Sequence, residues 1–198
     1  MDNRRLAILL SGRGSNFIAI YEAIQRGDLN AEICCVVSNA AEAAGLARAR
    51  EYGLRSICLP SRGIERSEYD RLLAETIRPF RPALVCMAGF MRILTGEFLK
   101  EYPGRVLNIH PALLPSFPGL HAQKQALQYG VKLSGCTVHF ADEGVDTGPI
   151  LLQRAVDVLD GDTEESLSER ILEQEHDIYW RAIALALDRM KSKEADRR

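Results

Sequence analysis

Five apolar runs of strand length, 5–10, 32–38, 55–59, 83–89 and 105–110, recur between amphipathic helical patterns. Near-continuous apolar strands separated by helices must be buried on both faces, which calls for a parallel sheet with helix layers on either side. The intervening stretches fit that role. In "NFIAIYEAIQRG", Phe17, Ile20, Ala23 and Ile24 share one helical face and Gly27 supplies a stop. "AAGLARAREYG" is closed by a glycine in the same way, and "YDRLLAETIRPF" follows the third run. After residue 132 the pattern changes. "KLSGCTVHF" and "PILLQRAVDV" flank a short Asp/Gly-rich loop and read as antiparallel edge strands, followed by a long amphipathic helix over roughly 163–190. The expected architecture is α/β: a Rossmann-like, mostly parallel sheet with antiparallel strands near the C-terminus. Residues 1–190 form one domain, and a charged tail over 191–198 is expected to be disordered.

Few function classes survive the charge and cysteine patterns. A formal charge of −2 provides no field for nucleic acid or an anionic membrane, so an anionic ligand must be held by local geometry. No apolar run approaches the roughly 20 residues of a membrane span. The basic-then-apolar start "MDNRRLAILLSGRG" has a short apolar run and no small-residue cleavage site, which places the chain in the cytoplasm. Cys34, Cys35, Cys58, Cys86 and Cys136 show no C-x-x-C spacing and are expected to be buried, inert thiols. His110, Cys136 and His139 include no close ligand pair, so no metal is expected.

In open α/β sheets ligands bind beyond the carboxyl ends of the strands, and three unusual segments fall there. "LLSGRGSNF" is a strand, glycine loop and helix start that fails as a P-loop, because no Gly-Lys-Ser/Thr follows. It also fails as a dinucleotide fingerprint, since Phe17 occupies the third glycine position. What remains is either a tight turn capped by Ser15 or a helix N-terminus able to cradle one phosphate, with Arg13 nearby. "VLNIHPALLPSFPGLH" puts Asn108 and His110 two residues apart on an extended strand, hence on one face, and stiffens the exit with Pro111, Pro115 and Pro118. An amide and an imidazole side by side can both donate to one oxygen; the bland alternative is a buried histidine satisfied by backbone. "HFADEGVDTGPI" carries Asp142, Glu143 and Asp146, with Asp146 held in a Thr-Gly-Pro setting that can aim a carboxylate at an imidazole. "GFMRIL" is an apolar loop with one cation, suited to a flat heterocycle or to packing under a helix. Glu175, amid polar neighbours in mid-helix, reads by default as solvated, and His121 and His176 as exposed helix positions.

Taken together, "AILLSGRGSN", "MAGFMRIL", "LNIHPALLPSFPGLHAQKQAL", "GCTVHFADEGVDTGPIL" and "EQEHDIY" resemble the folate-dependent phosphoribosylglycinamide formyltransferases of purine synthesis, over about residues 5–185. The resemblance implies a formyltransferase fold, 10-formyltetrahydrofolate as cosubstrate, glycinamide ribonucleotide as acceptor and no metal; it leaves a homodimer open. It implies Asn108, His110 and Asp146 as the catalytic set. Gly14, Ser15 and Asn16 would hold the ribonucleotide phosphate and Glu175 its ribose hydroxyls. Arg66, Met91, Arg92, Ile93 and Leu94, with Asn108 and Val145, would hold the folate. Ala112 and Arg13 depart from residues common in the family and lie outside the catalytic trio. Formyltetrahydrofolate hydrolase and methionyl-tRNA formyltransferase share the core but carry an extra domain before or after it. A dinucleotide-dependent oxidoreductase would need the missing third glycine and an acidic residue after the second strand, where Ser38 and Asn39 stand.

Overall fold

The computed structural model describes residues 3–195. Its centre is a seven-stranded sheet of order β3-β2-β1-β4-β5-β6-β7. The strands are β1 (Arg5–Leu10), β2 (Glu32–Ser38), β3 (Ser56–Cys58), β4 (Leu84–Met87), β5 (Val106–His110), β6 (Leu133–Phe140) and β7 (Ile150–Asp157). The first five pair in parallel, and β6 and β7 are antiparallel to their neighbours. The sequence pattern therefore reads correctly at both ends of the sheet. Helices α1 (Ser15–Arg26), α2 (Ala44–Glu51), α3 (Arg66–Ile77), α4 (Gly96–Glu101), α5 (Ala122–Tyr129) and α6 (Glu164–Ala195) cover it.

Strand alternation separates two cores. From β1, Leu6, Ile8 and Leu10 join Phe17, Ile20, Leu46, Ile178 and Ile183 on the face covered by α1, α2 and α6. Ala7 and Leu9 join Tyr69, Leu73, Val85 and Phe98 on the face covered by α3 and α4. Since both faces are covered, the strands carry apolar residues at successive positions, and this is why they appear as continuous runs.

Two sequence expectations need correction here. Cys58 is exposed, unlike the other four thiols, because it ends the short edge strand β3 where no further strand covers it. Helix α6 also extends past residue 190 to Ala195, so part of the expected tail is helical; residues 196–198 lie outside the described residues.

Strand order reverses between β1 and β4, and the loops leaving these two strands open a crevice at their carboxyl ends. Helix α6 ties this rim together from below. The fully buried Tyr179 hydroxyl lies 3.0 Å from the Met87 carbonyl, at the end of β4, and 3.2 Å from the Leu107 carbonyl, in the first half of β5. Tyr179→Phe should lower unfolding free energy by about 1 kcal/mol, the usual worth of one buried hydrogen bond. Denaturant midpoints at an unchanged m-value would measure the loss, and an unchanged midpoint would remove this tie from the account.

Candidate active site

Asp146 is the hub of the rim. Its Oδ2 lies 3.2 Å from His110 Nδ1 and accepts the Gly119 N–H at 2.8 Å. Its Oδ1 accepts from Asn108 Nδ2 at 3.3 Å and lies 3.5 Å from His139 Nε2. Asn108 and His110 reach it from one face of β5, as their spacing requires, and the proline-stiffened exit delivers the Gly119 amide. His110 Nε2 lies 2.8 Å from the Phe117 carbonyl, so both ring nitrogens face acceptors, a setting fully satisfied by the imidazolium. Burial alone would raise the Asp146 carboxyl; the contacts from His139, Gly119 and His110 outweigh it and hold the group below the usual carboxylate range.

The loop 141–149 is built to present this carboxylate. Asp142 Oδ1 accepts from Gly144 N at 3.1 Å and from Thr147 Oγ1 at 2.8 Å, closing the turn locally. A Cβ on Gly148 would meet the Phe140 carbonyl oxygen at 1.9 Å, so the chain passes too close there for any side chain. Asp146 itself has φ 55°, a left-handed conformation that costs most residues about 1–2 kcal/mol and that aspartate tolerates comparatively well. Glu143 is exposed, as a solvated acidic turn predicts.

Sequence reasoning weighed His139 only as a metal ligand and missed its place here. Antiparallel pairing of β5 and β6 sets it opposite Asn108, with its Nε2 3.1 Å from the Asn108 amide nitrogen. Its position at the end of "GCTVHF", beside the acidic loop, was the available signal. Among the described residues, no group of three or more His, Cys, Asp or Glu side chains is placed to hold a metal ion.

A cavity of about 620 Å³ opens beside the hub, of a size that suits a drug-sized ligand. Arg66, Met91, Arg92, Ile93, Leu94, Asn108 and Val145 all line it, as do His110 and Asp146. Its mouth is apolar yet uncovered: Met91 and Leu120 are each 72% exposed, and Val145 and Ile93 are exposed as well. Such a rim around a few polar groups marks a binding cleft for a ligand with an extended apolar face. The Arg92 guanidinium carbon sits over the Tyr69 ring, 4.4 Å from its centroid, at one wall.

Gly14, Ser15, Asn16 and Glu175 form a separate group outside that cavity wall. Gly14, at φ 76°, is the N-cap of α1, and no side chain caps the helix; Ser15 starts the helix instead of capping it. Ile18 N pairs with Gly14 O, leaving the Ser15, Asn16 and Phe17 amides without an intrahelical acceptor, the arrangement that favours an anion. The Asn16 side chain, however, donates to Glu175 Oε2 at 2.6 Å. The helix start therefore presents its backbone amides uncapped, while the Asn16 side chain joins it to Glu175. Glu175 is 8% exposed, contrary to the default reading of a solvated carboxylate. It falls on the inward stripe of α6 with Ile171, Ile178, Tyr179 and Ala182, a helical spacing that overrides its polar sequence neighbours. His176 is half-buried and His121, at φ 58°, precedes α5 and lines the cavity.

The comparisons with known proteins point one way. The family described as "Formyl transferase" matches residues 4–183. Phosphoribosylglycinamide formyltransferase of Escherichia coli (strain K12) is 43% identical over 88% of this chain and 82% of its own length. The crystal structure of glycinamide ribonucleotide transformylase 1 from Symbiobacterium toebii superposes with a TM-score of 0.92 at 47% identity, covering 94% of this chain and 89% of that one. The trifunctional purine biosynthetic protein adenosine-3 of Drosophila pseudoobscura pseudoobscura is 49% identical over 92% of this chain, which spans only 14% of that longer protein. A formyltetrahydrofolate deformylase from Pseudomonas syringae pv. tomato shares the fold at TM-score 0.88 but only 25% identity, and this chain covers 62% of it.

Burial pushes the Glu175 carboxyl up to about 7, against the opposing hydrogen bond from Asn16. A raised carboxyl favours the protonated folded protein: no penalty exists below about pH 4.5, and it accumulates as pH rises to about 7 and then levels off. Glu175→Gln should therefore leave stability unchanged near pH 4 and increase it at pH 8 by on the order of 3 kcal/mol in the ligand-free protein. Thermal unfolding of both proteins across this range checks the slope; a difference independent of pH would contradict it.

Proposed function

The chain belongs to the formyl transferase family, and from that premise we propose that it transfers the formyl group of 10-formyltetrahydrofolate to the amine of 5-phosphoribosylglycinamide. The products are N-formylglycinamide ribonucleotide and tetrahydrofolate, a step of purine synthesis, and we place the reaction in the cytoplasm. The observation that carries the proposal is the convergence of Asn108, His110 and Asp146 beside a cavity lined by every residue assigned to the folate. The 620 Å³ volume and exposed apolar mouth suit a pterin with an aryl extension, and Arg66 and Arg92 offer cations to a carboxylate tail. The uncapped start of α1 suits the ribonucleotide phosphate, and Glu175 the ribose hydroxyls.

The chemistry follows from the donors. The neutral amine attacks the formyl carbon; a C–N bond forms and the carbonyl π pair moves onto oxygen. Collapse of the tetrahedral species breaks the bond to N10 of the folate. Overall, one proton leaves the attacking amine and one arrives on N10. Asn108 Nδ2 and the His110 ring are the donors aimed at the developing oxyanion, each worth on the order of 3 kcal/mol in a site of this kind. Before substrate binds, these donors rest on Asp146 and the Phe117 carbonyl, which keeps them oriented. Asp146, held ionised, lies 3.2 Å from His110 Nδ1 and fixes the orientation of the ring. Direct transfer requires no covalent enzyme intermediate, in keeping with a sequence that lacks a Gly-x-Ser-x-Gly elbow.

Following tetrahydrofolate release from 10-formyltetrahydrofolate with and without glycinamide ribonucleotide tests the reading. Release should depend on the acceptor, with formylated ribonucleotide appearing in equal amount. Release at the same rate without acceptor would favour a hydrolase and defeat the proposal.

A further inference from the structure

The loop 89–95 lies between β4 and α4 and has no strand partner over 91–95 to take its amides. Two side chains from distant parts of the chain take the end amides instead. Met91 N donates to Ser11 Oγ at 2.8 Å, and Thr95 N donates to Asp70 Oδ2 at 2.6 Å. The Ser11 contact is singular because of where Ser11 sits: it follows β1 directly and opens the Gly12–Asn16 turn. One residue thus touches both loops to which separate substrates have been assigned.

The Ser11 hydroxyl is itself held in one orientation. It donates to Asn39 Oδ1 at 2.5 Å, and Asn39 Nδ2 in turn donates to Ser61 Oγ at 3.1 Å. Ser61 is buried and also donates its N–H to the Asn39 carbonyl at 3.3 Å. With its single hydrogen committed to Asn39, the Ser11 oxygen keeps its lone pairs for Met91. The hydrogen-bonded chain therefore crosses the rim from the loops after β3 and β2 to those after β1 and β4. Ser11 N also donates to the Gly89 carbonyl at 3.0 Å, continuing the β1–β4 pairing; that bond is backbone only and does not depend on the side chain.

We propose that Ser11, backed by Asn39 and Ser61, is a positioning residue that fixes the 91–94 loop against the 12–16 loop. This deepens the reading above and rests on it in assigning the 91–94 loop to the folate. Removing the hydroxyl leaves the β1–β4 register in place, because the Ser11–Gly89 backbone bond survives, but frees the Met91 amide and with it the wall that carries Met91 and Arg92.

Ser11→Ala should raise the KM for 10-formyltetrahydrofolate by about 5- to 10-fold, as expected for one lost hydrogen bond, with kcat and the ribonucleotide KM within about 2-fold. Ser11→Thr, which keeps the hydroxyl, should restore most of the affinity. Asn39→Ala should produce the same split to a smaller degree and add little in the double variant, since it acts through Ser11. In ligand-free protein, hydrogen exchange at the Met91 amide should accelerate in Ser11→Ala while the β1 amides stay protected. Unchanged exchange at Met91, or a ribonucleotide KM that rises as much as the folate KM, would overturn the proposal. Wild-type protein that transfers no formyl group would defeat the proposed function, while exchange at Met91 would still decide the positioning role. Should Ser11→Ala fail to fold, Asn39→Ala and its exchange pattern carry the same decision.

Discussion

The site depends on the carboxylate of Asp146. Four groups from three segments meet it: Asn108 and His110 from β5, His139 from β6 and the Gly119 amide from the proline-rich exit. A half-buried carboxylate without partners would be a liability, since desolvation disfavours the charged form. Here the partners reverse that effect and leave the group below its ordinary range. A depressed carboxyl adds stability above the range of a free aspartate, and that stability is lost as pH falls through the lowered value. The hub therefore stays charged through neutral pH. The left-handed backbone at Asp146 and the close pass at Gly148 are the local costs of aiming it.

Two carboxylates of the same region are pushed in opposite directions. Asp146 is held low by its donors, while Glu175, buried beneath α1 with one hydrogen bond from Asn16, is raised to about 7. Pairs of groups driven apart in this way commonly divide the work of a site. In the proposed reaction Asp146 is a permanent charge that orients an imidazole. Glu175 is adjustable: a sugar hydroxyl that donates to it would replace lost hydration and favour its ionised form. The difference follows from the elements that carry them. Asp146 sits on a loop among N–H donors, whereas Glu175 lies on the inward stripe of α6 among Ile171, Ile178 and Tyr179.

Much of this was legible in the sequence because it rests on periodicity. Burial on both faces forces apolar runs, so all five parallel strands and the change to antiparallel pairing after residue 132 could be placed. The Asn108–His110 spacing fixed their common face, and the stiff setting of Asp146 suggested its aim. What escaped depends on contacts across the sheet. His139 acquires its place through its antiparallel register with Asn108, and the Ser11–Asn39–Ser61 chain through three loops that meet only when the sheet is assembled. Glu175 was misjudged because polar neighbours were weighed above helical spacing. Cys58 was misjudged because an edge strand has the same composition as an interior one.

Asp146→Asn removes the charge at the hub while keeping its shape, and so tests whether this carboxylate orients Asn108 and His110 for the proposed transfer. The measurement is kcat against pH with both substrates saturating, for wild type and variant. Rate should fall in acid as the acceptor amine is protonated. In the variant the maximum rate should fall by about 100-fold or more across the profile, the scale of a lost oriented donor, with both KM values little changed. A maximum rate in Asp146→Asn within about 3-fold of wild type would contradict the account at its centre.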